Sequence, residues 1–188
     1  MSDPNSVWLE ASLETANGYR RVIDAAVEQL TDEQFFHRPA TNANSVAVLL
    51  RHLGGNLQSR WDQFLTEDGE KPSRDREKEF KDWHGDRSSL IEYFDVGWHT
   101  LISTLKSLAD DDLTQLVTIR GEAHTIPQAI QRSLTHISYH VGQLLLIARM
   151  VHNNDETWNW VTIPPGQSKQ HNKNTWGTSA SRSTFGEK

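Results

Sequence analysis

Residues 125–151 read TIPQAIQRSLTHISYHVGQLLLIARMV, and this stretch decides the fold class. Apolar residues recur along it at intervals of three and four positions, which predicts one continuous amphipathic helix. Thr125 offers a side-chain oxygen as an N-cap, and Pro127 falls in the first turn, where its missing N–H is tolerated. The sequence therefore predicts a long last helix that ends near Val151.

Three upstream segments have the same periodicity and predict further helices, over residues 6–30, 45–65 and 87–108. Asn42 or Asn44 is the expected cap of the second of these helices. The pair Gly54-Gly55 inside it costs about 1 kcal/mol per glycine relative to alanine, which indicates that another backbone or a ligand comes close there. Four long amphipathic helices with connections between them predict an all-α protein, an antiparallel four-helix bundle.

The connections between these helices differ in character. Residues 67–82 contain twelve charged side chains, which predicts a solvated linker or loop. Residues 116–126 alternate apolar and polar side chains around Gly121, which predicts a short hairpin or extended loop before the last helix. The segment after the last helix, with two tryptophans and a Pro-Pro-Gly, predicts ordered but non-helical structure. We therefore expect one domain over residues 1–172 and a flexible C-terminal tail over residues 173–188.

Composition excludes several classes of function. The chain has no cysteine, which excludes disulfides, cysteine-ligated metals and a cysteine nucleophile. Its net charge of -6 argues against a protein that binds nucleic-acid phosphates. The longest apolar run, residues 141–151, is far shorter than the roughly 20 residues that cross a membrane. The N-terminus lacks the basic and apolar regions of a signal peptide, so we expect a cytoplasmic protein that binds neither nucleic acid nor membrane.

Three of the nine histidines share one helical geometry. His136 and His140 are spaced i, i+4 and project from one helix face about 6 Å apart. They border the apolar stripe of the last helix, and His52 borders the stripe of the second helix on the same flank. If these helices pack side by side, three imidazoles meet and leave a fourth coordination position open, as in catalytic zinc sites. The alternative is that the three histidines make ordinary hydrogen bonds; six others receive no ligand role, namely His37, His84, His99, His124, His152 and His171.

Polar residues one turn from these histidines are candidates to hold the imidazoles in place. Asn56 and Gln143 lie on the correct faces to accept the second N–H of a metal-binding histidine. A plain interhelical hydrogen bond is the alternative for both. Tyr139 and Ser133 border the same site and are candidates for substrate contact, although Tyr139 has packing as its alternative. Arg120 and Glu122 near the predicted hairpin either line a pocket mouth or stabilise loops.

Five segments in this order resemble the DUF1572 family of the DinB/YfiT-like metalloenzyme superfamily. They are the helix with His52 and Asn56, the EDGE and RDRE stretch, VTIRGE, THISYHVGQ and the closing IPPGQS. The resemblance covers about residues 8–172 and implies a four-helix bundle of up-down-down-up type. It also implies that His52, His136 and His140 bind a divalent metal. Relatives in the superfamily include thiol-dependent S-transferases and a thiol-dependent isomerase, whereas the narrower family has no assigned reaction.

A zinc or nickel ion on three neutral imidazoles keeps its full charge. Such an ion activates a water molecule as a nucleophile or binds an external thiol as thiolate. Because the chain has no cysteine, the thiol must arrive as a small molecule. We therefore expect a metal-dependent enzyme, either a thiol S-transferase or a hydrolase, that acts on a small electrophilic substrate. The alternative is a non-catalytic, stress-associated binding module whose metal is structural. Four-helix bundles of this size often pair through an exposed helix face, so we also expect a homodimer.

Overall fold

The computed structural model describes residues 4–154 and 156–176, which are mostly helical with one two-stranded sheet. No helix in these ranges is both long and apolar enough to cross a membrane. The helices are α1 (Pro4–Val27), α2 (Asp32–Phe36), α3 (Val46–Trp61), α4 (Arg76–Glu79), α5 (Arg87–Ser107), α6 (Ile126–His152) and α7 (Ser168–Trp176). A 3-10 turn (Asp110–Thr114) precedes the strands β1 (Leu116–Ile119) and β2 (Glu122–Thr125).

The core lies between the four long helices. Helices α1 and α3 each contact both α5 and α6. Fourteen of the sixteen residues of α3 are buried, so this helix lies at the centre of the core. Buried polar groups need partners inside the protein, and α3 carries Arg51, His52 and Asn56 among its buried residues. The partners of His52 and Asn56 build the site described below.

The glycine pair in α3 lets two other parts of the chain come close, as its sequence predicted. A Cβ on Gly97 of α5 would lie 2.5 Å from the carbonyl oxygen of Gly54, so the two helix backbones are in contact there. A Cβ on Gly55 would lie 2.5 Å from Oε1 of Glu79. Gly54 therefore accommodates a helix, and Gly55 accommodates a buried carboxylate.

The last helix and the hairpin confirm their predictions. Thr125 caps α6 by accepting a hydrogen bond from the backbone N–H of Gln128, and Pro127 lies in the first turn. Strands β1 and β2 pair antiparallel. Their turn contains Arg120 and Gly121 with φ of 55° and 76°, a left-handed conformation that glycine adopts readily.

Several helix boundaries differ from the prediction. The predicted connection at residues 31–42 contains α2, which Thr31 caps together with Gln34 in a capping box. Helix α1 therefore ends at Val27, before the predicted residue 30. Helix α3 ends at Trp61, before the predicted residue 65, and its cap is Ser45, which accepts from the backbone N–H of Val48. The expected caps Asn42 and Asn44 are thus wrong.

The C-terminal segment is not wholly non-helical. Helix α7 begins after the Pro-Pro-Gly turn, in which Gly166 has φ of 78°, and continues across the predicted end of the domain at residue 172. The prediction failed because the Pro-Pro-Gly turn ends at Gly166, and the residues after it are free to start a helix. Residues 177–188 of the predicted flexible tail lie outside the described residues.

The charged stretch at residues 67–82, predicted as a solvated linker or loop, is irregular apart from the single turn α4, and seven of its twelve charged residues are exposed. The rest of the stretch folds against α3 and the hairpin, which the prediction did not include. The carboxylate of Asp68 accepts hydrogen bonds at 2.8 Å from the backbone N–H groups of Arg120 and Gly121. The side chains of Arg74 and Glu79 are only 3% and 5% exposed. Composition failed here because opposite charges within the stretch pair with each other, which permits their burial.

Candidate metal centre

Three histidines from two helices converge at one point, as the helical geometry predicted. His52 comes from α3, and His136 and His140 come from α6; their candidate ligand nitrogens lie within 4.8 Å of one another. Nε2 of His52 is 3.2 Å from Nε2 of His136. The ring centroid of His140 lies 4.8 Å from that of His52 and 4.6 Å from that of His136. The three imidazoles are therefore close enough to bind one metal ion.

A buried carboxylate fixes the imidazole of His52. The Nδ1–H of His52 donates a hydrogen bond of 2.8 Å to Oε2 of Glu79. Arg74 donates two further hydrogen bonds to the same carboxylate, at 2.8 and 2.9 Å. Burial alone raises the pKa of Glu79, but the hydrogen bonds from Arg74 and His52 outweigh it and hold the pKa below its usual range. Glu79 is thus ionised, and the lone pair of His52 Nε2 faces the other histidines.

His140 is held from the other side of the cluster. Its Nδ1–H donates to the amide oxygen of Gln143 at 3.0 Å. The ring of Tyr139 lies edge-on to the ring of His140, with centroids 5.0 Å apart, and most of this side chain is exposed. Gln143 thus occupies the place that the sequence proposed for a partner of a histidine.

Asn56 has a different partner from the one expected. Its amide oxygen, in the orientation that satisfies both polar atoms of the amide, accepts hydrogen bonds from Arg74 at 3.3 Å. It therefore holds the arginine that holds Glu79, and acts on His52 through these two residues. Ser133 also has a protein partner, since its hydroxyl accepts from Nε1 of Trp61 at 3.1 Å.

The surroundings keep the α6 histidines neutral. Burial, followed by the neighbouring His140 and His52, lowers the pKa of His136 to about 3. Burial and the neighbouring His52 also lower the pKa of His140, although Gln143 opposes this shift. Neutral imidazole is the form that binds a metal, so these residues are in the correct protonation state at neutral pH.

The histidines line a pocket of about 460 Å³, a volume within the range of small-molecule sites. Phe80 stacks on His52 with centroids 4.6 Å apart, and Trp61, Phe64 and Ile119 add apolar surface. Asn56, Ser133, Tyr139, Gln143 and Arg120 also line this pocket. The cluster therefore faces a cavity that a substrate can enter.

Sequence reasoning missed Arg74 and Glu79, which lie in the stretch assigned to a solvated linker or loop. The sequence carries a signal for a folded turn at this place. Asp75 is a favoured N-cap type, and its side chain accepts from the backbone N–H of Lys78 to start α4. Phe80, the single aromatic residue of residues 67–82, ends that turn and packs on His52.

A family model described as a protein of unknown function, DUF1572, matches residues 3–167. The chain belongs to this family. The match spans α1 to α6 and so includes the three histidines, Glu79 and Arg74. Comparisons with curated proteins and with solved structures gave no match.

Proposed function

We propose that the chain is a metal-dependent enzyme in which His52, His136 and His140 bind one divalent cation. The observation that carries the proposal is the position of three close imidazoles on the wall of a pocket of about 460 Å³. Zinc and nickel are the metals favoured, since both accept imidazole nitrogens. Within the described residues, the cluster includes no carboxylate or thiolate, which leaves a coordination position for a ligand from the pocket.

When bound, such an ion supplies Lewis-acid activation of a water molecule or of a small-molecule thiol. The protein supplies position and environment. Glu79 holds the Nδ1 proton of His52, and Gln143 holds that of His140, so both Nε2 atoms are directed at the cluster. Phe80 and Trp61 supply apolar surface to the pocket. This arrangement supports transfer of a thiol to a small electrophile, or hydrolysis of one.

We further propose that α1, α3, α5 and α6 form the up-down-down-up bundle of the DinB-like superfamily. The contacts that α1 and α3 each make with α5 and α6 support this arrangement.

Two copies of the chain are proposed to pair through α6, where Leu146 and Met150 are exposed one turn apart. Light scattering on the purified protein tests this pairing.

A non-catalytic module stabilised by its metal is the second candidate. The network of Asn56, Arg74 and Glu79 favours it, because this network joins His52 to the segment between α3 and α5. A metal on His52 would therefore stabilise that segment as well as the histidine cluster. Under this proposal the metal contributes to stability without any turnover.

Turnover assays separate the two candidates. The metal-loaded protein is incubated with cysteine and a chlorodinitrobenzene, and separately with nitrophenyl acetate. The enzyme proposal expects metal-dependent product in one of these assays, loss of activity in His140→Ala and full activity in the control His99→Ala, an exposed histidine of α5. Equal rates with and without metal in both assays would contradict it. A metal-dependent rise in melting temperature without turnover would support the binding module.

A further inference from the structure

The pocket beside the histidines is rich in arginine. Among the described residues that line it there are five arginines and no aspartate or glutamate. The five are Arg60, Arg74, Arg76, Arg120 and Arg132. Arginine binds carboxylates and phosphates through a planar fork of N–H donors, so this lining is unusual for a pocket that takes a neutral ligand.

The carboxylates that contact these arginines are too few to pair with all of their N–H donors. Oε2 of Glu70 alone contacts Arg60 at 2.8 Å, Arg74 at 3.2 Å and Arg120 at 3.2 Å. The carboxylate of Glu79 is shared between Arg74 and His52. One carboxylate oxygen therefore serves three guanidinium groups, which leaves N–H donors and positive charge in excess at the pocket.

Arg60 shows this excess at the level of a single atom. Its side chain is 11% exposed, and its NH1 nitrogen is buried without a hydrogen-bond partner among the described residues. Burial lowers the pKa of Arg60; the positive charges of Arg74 and Arg120 also lower it, and Glu70 opposes the shift. An unpaired buried donor is costly, and an anionic ligand would pair it.

Arg132 of α6 supplies a further positive charge to the pocket. It lies on α6 four residues before His136, so the two side chains project from the same helix face about 6 Å apart. Arg132 is exposed and forms no ion pair with a described residue. A small molecule whose anionic group is bound by Arg132 can therefore reach the histidines with its other end.

We propose that Arg60 and Arg132 bind an anionic group of the substrate, a carboxylate or a phosphate, while its reactive part lies at His52, His136 and His140. The role of the histidines in this statement rests on the proposed function, whereas the anion site does not require a metal. The substrate class is thus a small molecule with an electrophilic or thiol end and an anionic end.

Calorimetric titration with sodium succinate and with inorganic phosphate tests this site, on the metal-free protein and on the zinc-loaded protein. We expect at least one of the two anions to bind both forms at one site per chain. Arg132→Gln, a substitution at an exposed position, should weaken this binding about tenfold, the effect of one charge-assisted hydrogen bond. Arg21→Gln, an exposed arginine of α1 outside the pocket, should leave the binding unchanged.

Other outcomes separate this inference from the proposed function. Binding of neither anion to the wild type, or equal binding by wild type and Arg132→Gln, would overturn the anion site. Binding that needs zinc and disappears in His136→Ala but not in Arg132→Gln would also overturn it, since the anion would then be a metal ligand. Arg60→Gln is the second variant and should weaken the binding of the same anion. A wild type that binds the anion but no zinc would contradict the proposed function alone.

Discussion

The two sides of the histidine cluster are held by different chemistry. On the α3 side, a buried and ionised Glu79 accepts the Nδ1–H of His52 and is itself held by Arg74. On the α6 side, the neutral amide of Gln143, which is only partly buried, accepts the Nδ1–H of His140. One side is therefore fixed by charge in the interior, and the other by a dipole near solvent.

This difference predicts unequal contributions to metal binding. A carboxylate partner fixes the tautomer of an imidazole and raises its basicity as a ligand. Hydrogen bonds to an ionised group are also about twice as strong as those between neutral groups. Water can replace the amide of Gln143 more easily than the carboxylate of Glu79, because Glu79 is buried. The α3 side should therefore dominate the affinity.

The largest effect is expected for Glu79→Gln. Zinc affinity should fall about 10- to 100-fold, because His52 loses its anionic partner. The variant should also be less stable by about 3 kcal/mol, since Arg74 stays buried with fewer charges to pair it. Competition with a chromophoric chelator and urea unfolding measure the two effects. Glu77→Gln, an exposed neighbour in α4, is the control. An unchanged zinc affinity in Glu79→Gln would show that the carboxylate does not contribute to metal binding.

Gly55→Ala should disturb the same side without replacing a polar side chain. The added methyl would lie 2.5 Å from Oε1 of Glu79 and 2.8 Å from the hydroxyl of Tyr93, so the carboxylate must shift away from His52. We expect a loss of about 1–3 kcal/mol in stability and a zinc affinity reduced about tenfold. Gly142→Ala in α6 is the matched control, since nothing lies within 4 Å of its added Cβ. The higher helix propensity of alanine should make Gly142→Ala more stable than the wild type by up to about 1 kcal/mol. Equal stability and equal zinc affinity of the two variants would contradict the role given to Glu79.

Gln143→Ala tests the α6 side. Loss of a neutral hydrogen bond next to solvent should lower zinc affinity less than about tenfold. The same chelator competition gives the value, and it should be smaller than the value for Glu79→Gln. If the order of the two variants were reversed, the contrast between the sides would be wrong.

Glu70→Gln should have the smallest effect on zinc and a visible effect on acid stability. Burial raises the pKa of Glu70, but Arg74, Arg60 and Arg120 outweigh it and lower the pKa below the ordinary 4.5. The carboxylate therefore stabilises the fold above pH 4.5, and this contribution is lost as the pH falls through its lower folded-state pKa. The variant should be less stable by about 1–2 kcal/mol at neutral pH. Unfolding curves of the two proteins should converge in acid; a constant difference would contradict this.

The same two sides differ in how far the sequence could predict them. The i, i+4 spacing of His136 and His140 and the periodicity of α6 are local features, so the face they share follows from the sequence. His52 could be placed on a flank of α3 for the same reason. Glu79 could not be placed, because 27 residues separate it from His52 and many charges in residues 67–82 are equivalent in composition. Only the tertiary structure selects which carboxylate becomes buried.

The errors in the fold have a related cause. Helices α2 and α7 are short, and their apolar residues are too few to show a helical period. Capping and turn residues start them, and these residues also occur in loops. The long helices, the hairpin and the close approach at Gly54 were predicted because each depends on a strong local signal.

The binding of one divalent cation to His52, His136 and His140 is the proposal from which the other predictions follow. Its most direct test is the zinc content of purified, dialysed protein, measured by elemental analysis on the wild type, His52→Ala and the exposed control His99→Ala. We expect about one zinc per chain in the wild type and the control, and none in His52→Ala. Equal zinc in all three proteins, or none in a wild type dialysed against excess zinc, would contradict it.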